Sequence, residues 1–207
     1  MSTSLIETMM VSVIFGLSCY FAILVIKKDC RSLRNVSFGI MSIAIGLWIL
    51  SAYLSEFFPK SQPLLSTHLS RVAMWAAITF ISSLGVFIFS YYKSGKKWPL
   101  WILSSLYFVL SLLIFFSPGI VSSIRVKDYS FDILYGSLFY PVLLPYSFAI
   151  IFFVIYFFAT RYRKLPNQSK EQLRHFFIGL GIFIGISIIF SLIVPLVINS
   201  DRYYRIS

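Results

Sequence analysis

The sequence predicts an all-α integral membrane protein, built as a bundle of about six transmembrane helices with the N-terminus outside. Hydrophobic residues make up 58% of the 207 residues and charged residues only 12%, whereas soluble domains carry roughly 25% charged residues. The apolar residues form long runs, and the basic residues fall in the short segments between them. The net charge of +11 therefore indicates membrane topology and not nucleic-acid binding.

A bilayer core of roughly 30 Å requires about 20 apolar residues in a helix, where each backbone polar group can be paired within its own segment. The first run is a retained helix and not a signal peptide, because Glu7 precedes it and Lys27 and Lys28 follow it without a small-residue cleavage site. With no repeat or long linker in view, residues 1–207 are interpreted as a single transmembrane domain. The predicted spans are residues 8–26, 36–57, 71–92, 98–116, 139–160 and 175–198.

The distribution of Lys and Arg predicts the orientation. One set of loops carries Lys27, Lys28, Arg31, Arg34, Lys93, Lys96, Lys97, Arg161, Arg163, Lys164, Lys170 and Arg174. The opposite side carries fewer: Lys60, Arg71, Arg125, Lys127, Arg202 and Arg205. Because cytoplasmic loops are enriched in basic residues, the first set is placed in the cytoplasm, and both chain ends of a six-helix bundle are placed outside.

The longest loop, residues 117–138, is predicted to lie outside and to contain a small β-hairpin. Its two alternating runs, SSIRV and YSFDI, are separated by Lys127 and Asp128. Pro141 and Pro145 follow in the first turn of the fifth span, where a missing amide N–H costs little. We interpret them as shaping the start of that helix, with a kink at Pro145 as the alternative.

Ionisable residues inside membrane spans usually mark ion paths, proton relays or counter-ions, and the predicted helix interiors contain almost none. Glu56 and Arg71 are assigned to helix ends, and His175 to the entrance of the sixth helix. The only other histidine, His68, is predicted on the opposite face of the membrane, so the two cannot share a metal ion. The sequence therefore predicts no catalytic, cofactor-binding or metal-binding residue and no enzyme.

Small and hydroxyl residues in the spans are interpreted as packing residues. The serines at 82, 83, 104 and 105 have no plausible base and no GxSxG context, so they are not assigned as nucleophiles and are expected to permit close helix contact. Gly181 and Gly185 have the GxxxG spacing, which serves either packing within this bundle or contact between two copies of the chain.

The stretch KEQLRHFFIG, from Lys170 to Gly179, resembles the RxQLRYxxxG entry to the sixth helix in the N-terminal seven-transmembrane region of bacterial sensor histidine kinases. Further landmarks agree in order and extend the resemblance over nearly the whole chain: Asn35, Trp48, Phe57-Phe58-Pro59, Gly136, Tyr140 and Pro195.

The resemblance implies a multi-pass input module in the bacterial cell (inner) membrane, joined through a seventh helix to cytoplasmic domains such as a PAS sensor, a kinase transmitter or a diguanylate cyclase. The sequence departs from the family where residues 201–207 stand in place of the start of the seventh helix. His175 is not taken as a phospho-accepting histidine, because it is assigned to a membrane helix.

The expected function is a membrane-embedded sensory input or anchoring module of a bacterial signal-transduction protein, without catalysis of its own. The expected stimulus is either a ligand or a change of membrane state that repacks the helices, and a ligand would be sought at residues 117–138 and at the outer helix ends. The alternative is a transport or channel subunit for an uncharged or lipidic solute; a small enzyme acting on lipids lacks a reactive pair. The expected partners are the lipid bilayer together with a homodimer partner, a cytoplasmic signalling domain or a signalling partner, with neither nucleic acid nor a cofactor.

Overall fold

The computed structural model describes residues 2–58, 62–91, 98–126 and 131–188. These residues are mostly helical, and two strands, β1 (Val121–Val126) and β2 (Phe131–Tyr135), pair as an antiparallel hairpin. The predicted helical fold with a small hairpin in residues 117–138 is therefore confirmed. The helices are α1 (Ser2–Lys28), α2 (Leu33–Phe57), α3 (Pro63–Phe89), α4 (Trp98–Phe116), α5 (Leu144–Thr160) and α6 (Asn167–Ile188).

Four helices of the described ranges are long and apolar enough to cross a membrane: Thr8–Lys28, Leu33–Ser55, Pro63–Phe89 and Phe139–Thr160. α4 is apolar over the shorter stretch Leu100–Phe116. Residues 189–198 of the predicted sixth span lie outside the described residues. Large apolar side chains such as Trp101, Phe108 and Phe152 are exposed, as suits helices surrounded by lipid. That the chain has six spans, and that its N-terminus lies outside, stay predictions.

The third span begins earlier than predicted, and this changes the position of Arg71. α3 starts at Pro63 and not at residue 71, because proline is suited to the first position of a helix, where its missing N–H would be unpaired in any case. Arg71 therefore lies roughly two turns inside α3 and not at a helix end. It is an ionisable residue within a candidate membrane span, contrary to the prediction.

The start of the sixth helix was also predicted too late. α6 begins at Asn167, because the polar stretch from Asn167 to Arg174 contains good helix formers and continues the apolar helix at its N-terminal side. His175 is consequently in the body of α6 and not at its entrance. Hydropathy alone locates the apolar part of a helix and misses a polar extension of this kind.

The fifth span has the predicted extent but begins with a wider turn. Phe139–Leu143 form a π-helix that leads directly into α5, and the Leu144 amide donates to the Phe139 carbonyl. Because Pro141 and Pro145 have no amide N–H, the regular hydrogen-bond ladder is interrupted here. The two prolines thus shape the helix start, as predicted, through a π turn.

By backbone contacts the chain divides into two compact units, residues 1–157 and 158–207. In the first unit α2 packs along both α1 and α3, and α3 also contacts α4 and β1. A cluster of buried apolar residues joins α3, α4, the hairpin and the start of the fifth span: Ile78, Leu110, Ile114, Ile120, Val121, Leu143, Tyr146 and Ile150. In the second unit Phe158 contacts the ring of Phe177 at 4.6 Å. The assignment of a single domain stays a prediction.

The hairpin is closed at its base by a tight approach of two backbone segments. The Gly136 amide donates to the Ile120 carbonyl at 2.9 Å, and the Leu138 amide donates to the Gly119 carbonyl at 2.7 Å. A Cβ atom at Gly136 would overlap the backbone of Pro118 and Gly119, which cannot move as a side-chain end can. Glycine at 136 is therefore required by the close approach.

We expect Gly136→Ala to lower the free energy of unfolding by about 1–3 kcal/mol, the usual cost of overpacking. The matched control is Gly16→Ala in α1, where a Cβ has nothing within 4 Å in the described structure and helix propensity favours alanine by about 1 kcal/mol. Thermal unfolding in detergent measures both variants. Equal midpoints for the two would contradict the close approach.

Candidate functional site

One face of α3 carries polar side chains that hydrogen-bond to α4 and α5. They are Trp75, Thr79 and Ser82, whose spacing of four and three residues places them on the same side of a helix. Their partners are the Ser111 hydroxyl at 3.2 Å, the Tyr107 hydroxyl at 2.9 Å and the Tyr146 hydroxyl at 2.7 Å. These three bonds, the hydroxyl ladder, tie α3 to its neighbours.

The donor and the acceptor in each hydroxyl–hydroxyl bond can be assigned because a hydroxyl group has only one proton to donate. Thr79 Oγ1 donates to the Trp75 carbonyl at 2.8 Å, and Ser82 Oγ donates to the Ile78 carbonyl at 2.7 Å. Tyr107 and Tyr146 are therefore the donors in their bonds to Thr79 and Ser82. Each polar group is satisfied, which matters because water cannot replace a lost partner in the hydrocarbon region.

A cavity of about 200 Å³, the hydroxyl cavity, lies between α2, α3 and α4 beside this ladder. Uncharged polar side chains line it: Ser37, Thr79, Ser82, Ser83, Ser104 and Tyr107. Apolar side chains complete the wall, among them Val36, Ile40 and Leu103. Its volume is below the range of roughly 300–1,000 Å³ that is typical of small-molecule sites, so only a small uncharged group would fit.

A second depression, the hairpin groove, has a volume of about 300 Å³ and lies between the first half of α3 and strand β1. Its lining residues are Pro63, Leu64, Thr67, His68, Arg71, Ser122, Ser123 and Ile124. In contrast to the hydroxyl cavity, it contains a permanent positive charge, that of Arg71. It lies in the region where the sequence predicted a ligand, at a helix end and in residues 117–138.

Arg71 fastens the hairpin to α3 and α4. Its Nε and Nη2 donate to the Val121 carbonyl at 3.3 and 3.1 Å, and its Nη1 donates to the Phe115 carbonyl at 3.3 Å. Phe115 lies in the last turn of α4, whose carbonyls have no partner within the helix. Val121 flanks a β-bulge, where the register of the hairpin shifts and the ladder is locally disrupted. The guanidinium thus bonds one carbonyl that the helix leaves open and one that lies beside the bulge.

Tyr135 joins the hairpin to the π turn. Its ring stacks on Phe139 with centroids 4.0 Å apart. Burial raises the pKa of Tyr135 above its ordinary value of 10.0, and the hydroxyl of Tyr140 adds to the rise. The phenol therefore stays neutral near physiological pH and brings no negative charge to this end of the bundle.

The structure places the residues considered from sequence as follows. Ser82 and Ser83 are buried at the hydroxyl cavity, whereas Ser104 and Ser105 are exposed. Exposed histidines lie on α3, where His68 lines the hairpin groove, and on α6, where His175 lies. A Cβ at Gly181 would meet nothing within 4 Å in the described structure, and the surroundings of Gly185 lie outside the described side chains.

Arg71 was missed as a candidate because it was assigned to a helix end. The signal that could have identified it is Pro63, which marks the start of α3 and leaves Arg71 inside the helix.

Within the described ranges, no three His, Cys, Asp or Glu residues come together as a metal site would require. No protein-family model, curated protein or solved structure matches this chain.

We expect Tyr146→Phe to lower the free energy of unfolding by about 0.5–1.5 kcal/mol, because Ser82 loses its hydrogen-bond donor while the packing is kept. Tyr107→Phe acts on Thr79 in the same way. The control is Tyr20→Phe on α1, where the tyrosine is 57% exposed. Chemical or thermal unfolding in detergent compares the variants, and a Tyr146→Phe protein as stable as the control would contradict the ladder.

We expect Arg71→Lys to loosen the hairpin, because an ammonium group cannot bond the Val121 and Phe115 carbonyls with the fixed fork of a guanidinium. Amide hydrogen exchange of residues 120–126 should become at least about tenfold faster, the effect of losing roughly 1.4 kcal/mol of local stability. Arg174→Lys, at an exposed arginine of α6, is the charge-matched control. Unchanged exchange in Arg71→Lys would show that the guanidinium does not hold the hairpin.

Proposed function

We propose that this chain is a membrane-embedded sensory input module of a bacterial signal-transduction protein, with no catalysis of its own, and that the hairpin groove is where the stimulus is received. The observation that carries the proposal is the attachment of the hairpin to α3 and α4 through Arg71. A ligand in the groove touches both the hairpin and α3, so it can change how one is held against the other.

The position of α3 supports a route from the groove into the bundle. α3 contacts α2, α4 and β1, and the hydroxyl ladder links it further to Tyr107 of α4 and Tyr146 of α5. A ligand shifts a protein between two arrangements only as far as it binds one better than the other. A groove ligand that favours one position of the hairpin would also favour one position of α3. Through the hydroxyl ladder it would do the same for α4 and α5.

The close packing of α1 and α2 is compatible with small helix movements. Gly39 lies against Ile26, and Gly46 lies against Ser18 and Phe15. Small residues of this kind let membrane helices approach and slide as packed elements. The resemblance of residues 170–179 to the entry of the sixth helix in the seven-transmembrane region of sensor histidine kinases points to the same role, with output through a cytoplasmic domain.

The alternative function, a transport or channel subunit for an uncharged or lipidic solute, is favoured by one observation. The hydroxyl cavity offers several neutral hydrogen-bonding groups and no charged side chain. A path for a neutral solute could be built from such groups. Flux of glycerol and other small neutral solutes into liposomes separates this function from sensing, since an input module should conduct none of them.

The sensory function predicts that the coding frame continues past Ser207 into a seventh apolar helix and a cytoplasmic signalling domain. In that full-length protein we expect Arg71→Lys to change kinase or cyclase output about fivefold or more, the lower range of allosteric coupling, and Arg174→Lys to leave it unchanged. The measurement is phosphotransfer or cyclic-dinucleotide production in membranes. Solute flux, together with an output that does not respond to Arg71→Lys, would favour the transport function.

A further inference from the structure

We propose that the hairpin groove is a binding site for a phosphoryl anion, with Arg71, His68 and Ser123 as its ligands. For its role in signalling this site rests on the proposed function, whereas the binding itself can be measured separately. The phosphoryl group can come from a lipid headgroup or from a soluble phosphate, and the two sources share the same recognition chemistry.

Arg71 supplies the charge and part of the geometry. Its hydrogen bonds to described residues go to the neutral carbonyls of Val121 and Phe115, so no residue in the described ranges compensates its positive charge. A guanidinium has five N–H groups, and these bonds use one on each nitrogen. One N–H on Nη1 and one on Nη2 are left to donate to the oxygens of a ligand.

His68 and Ser123 add donors from two different walls of the groove. His68 lies on α3 one turn before Arg71, at a spacing that places both on the same face, and Ser123 lies on β1. Among the described residues, neither side chain makes a hydrogen bond, whereas Thr67 is bonded to the Pro63 carbonyl and Ser122 to the Leu134 carbonyl. The groove therefore contains free donors on both sides of the Arg71 charge.

This set of donors favours a phosphoryl anion over other ligands. Among the described residues no Asp or Glu lines the groove, so these residues would offer a cation only the Arg71 charge. A neutral solute would leave that charge unpaired. Donors on a helix and on a strand surround a tetrahedral anion with several oxygens better than a planar carboxylate with two. The apolar part of the wall, Pro63, Leu64 and Ile124, can cover the carbon side of a phosphate ester.

The test measures binding to the whole chain purified in a non-ionic detergent. Inorganic phosphate is titrated at constant ionic strength against chloride, with the unfolding midpoint and calorimetry as readouts. In parallel, the chain is placed in nanodiscs of phosphatidylcholine with or without phosphatidylglycerol, and native mass spectrometry measures retained lipid. We expect His68→Ala and Ser123→Ala each to weaken binding about tenfold, the effect of losing one hydrogen bond to a charged group.

His175→Ala is the matched control, because His175 is the other histidine of the chain and is exposed on α6. Binding of inorganic phosphate supports a soluble ligand, and selective retention of phosphatidylglycerol supports a lipid headgroup; in either case the two groove variants must bind more weakly than the control. No binding of either probe, or equal binding in all variants, overturns the site. Arg71→Gln is left as a secondary variant because it also releases the hairpin.

The failure of this site and that of the sensory function are distinguishable. If phosphate does not bind but Arg71→Lys still changes the output of the full-length protein, the groove receives another stimulus. If phosphate binds and the output does not respond to groove variants, the anion site exists without the sensory role.

Discussion

The arrangement of the first unit depends on one interaction, the bonds from the Arg71 guanidinium to the carbonyls of Phe115 and Val121. The Phe115 carbonyl is left open by the C-terminus of α4, and the Val121 carbonyl lies beside the β-bulge. At the edge of a bilayer such groups need a partner from the protein when water is excluded. A cation near the C-terminus of α4 is also favoured by the helix dipole. The hairpin therefore lies against α3 and α4 with these two carbonyls paired.

Further along α3, polar groups are also paired within the protein, but all the partners are neutral. Trp75, Thr79 and Ser82 hydrogen-bond α3 to α4 and α5, and their partners on those helices are hydroxyl groups. Apolar contact alone gives little preference for one helix neighbour over another in lipid, because lipid tails are equally apolar. Hydrogen bonds at a defined spacing specify which face of α3 meets α4 and α5. α3 thus carries a charged side chain in its first half, at the groove, and neutral hydrogen-bonding side chains further along.

Hydropathy and alternation were sufficient to predict the apolar runs and the hairpin, because both signals are local. The start of α3 was misplaced because Ser66, Thr67, His68 and Arg71 dilute the hydropathy of its first turns, while Pro63 was the better signal. The hydrogen bonds of Arg71 could not be predicted. Their acceptors are the backbone carbonyls of Phe115 and Val121, and every residue has such a carbonyl whatever its side chain. The pairing of Ser82 with Tyr146 likewise depends on helix register and not on spacing along the chain.

The two roles of Arg71 are coupled by physical chemistry. The same guanidinium holds the hairpin through the Val121 carbonyl and presents its charge to the groove. An anion attracts a guanidinium more strongly than a neutral carbonyl does, because the two opposite charges add a Coulomb attraction that a carbonyl dipole lacks. An anion in the groove would therefore draw the guanidinium toward itself and weaken its hold on the hairpin. The free energy of binding would then differ between a held and a released hairpin, which is the condition for a ligand to shift a protein between two states. A neutral ligand in the hydroxyl cavity could not release the hairpin in this way, because it would contact the hydroxyl ladder and not Arg71.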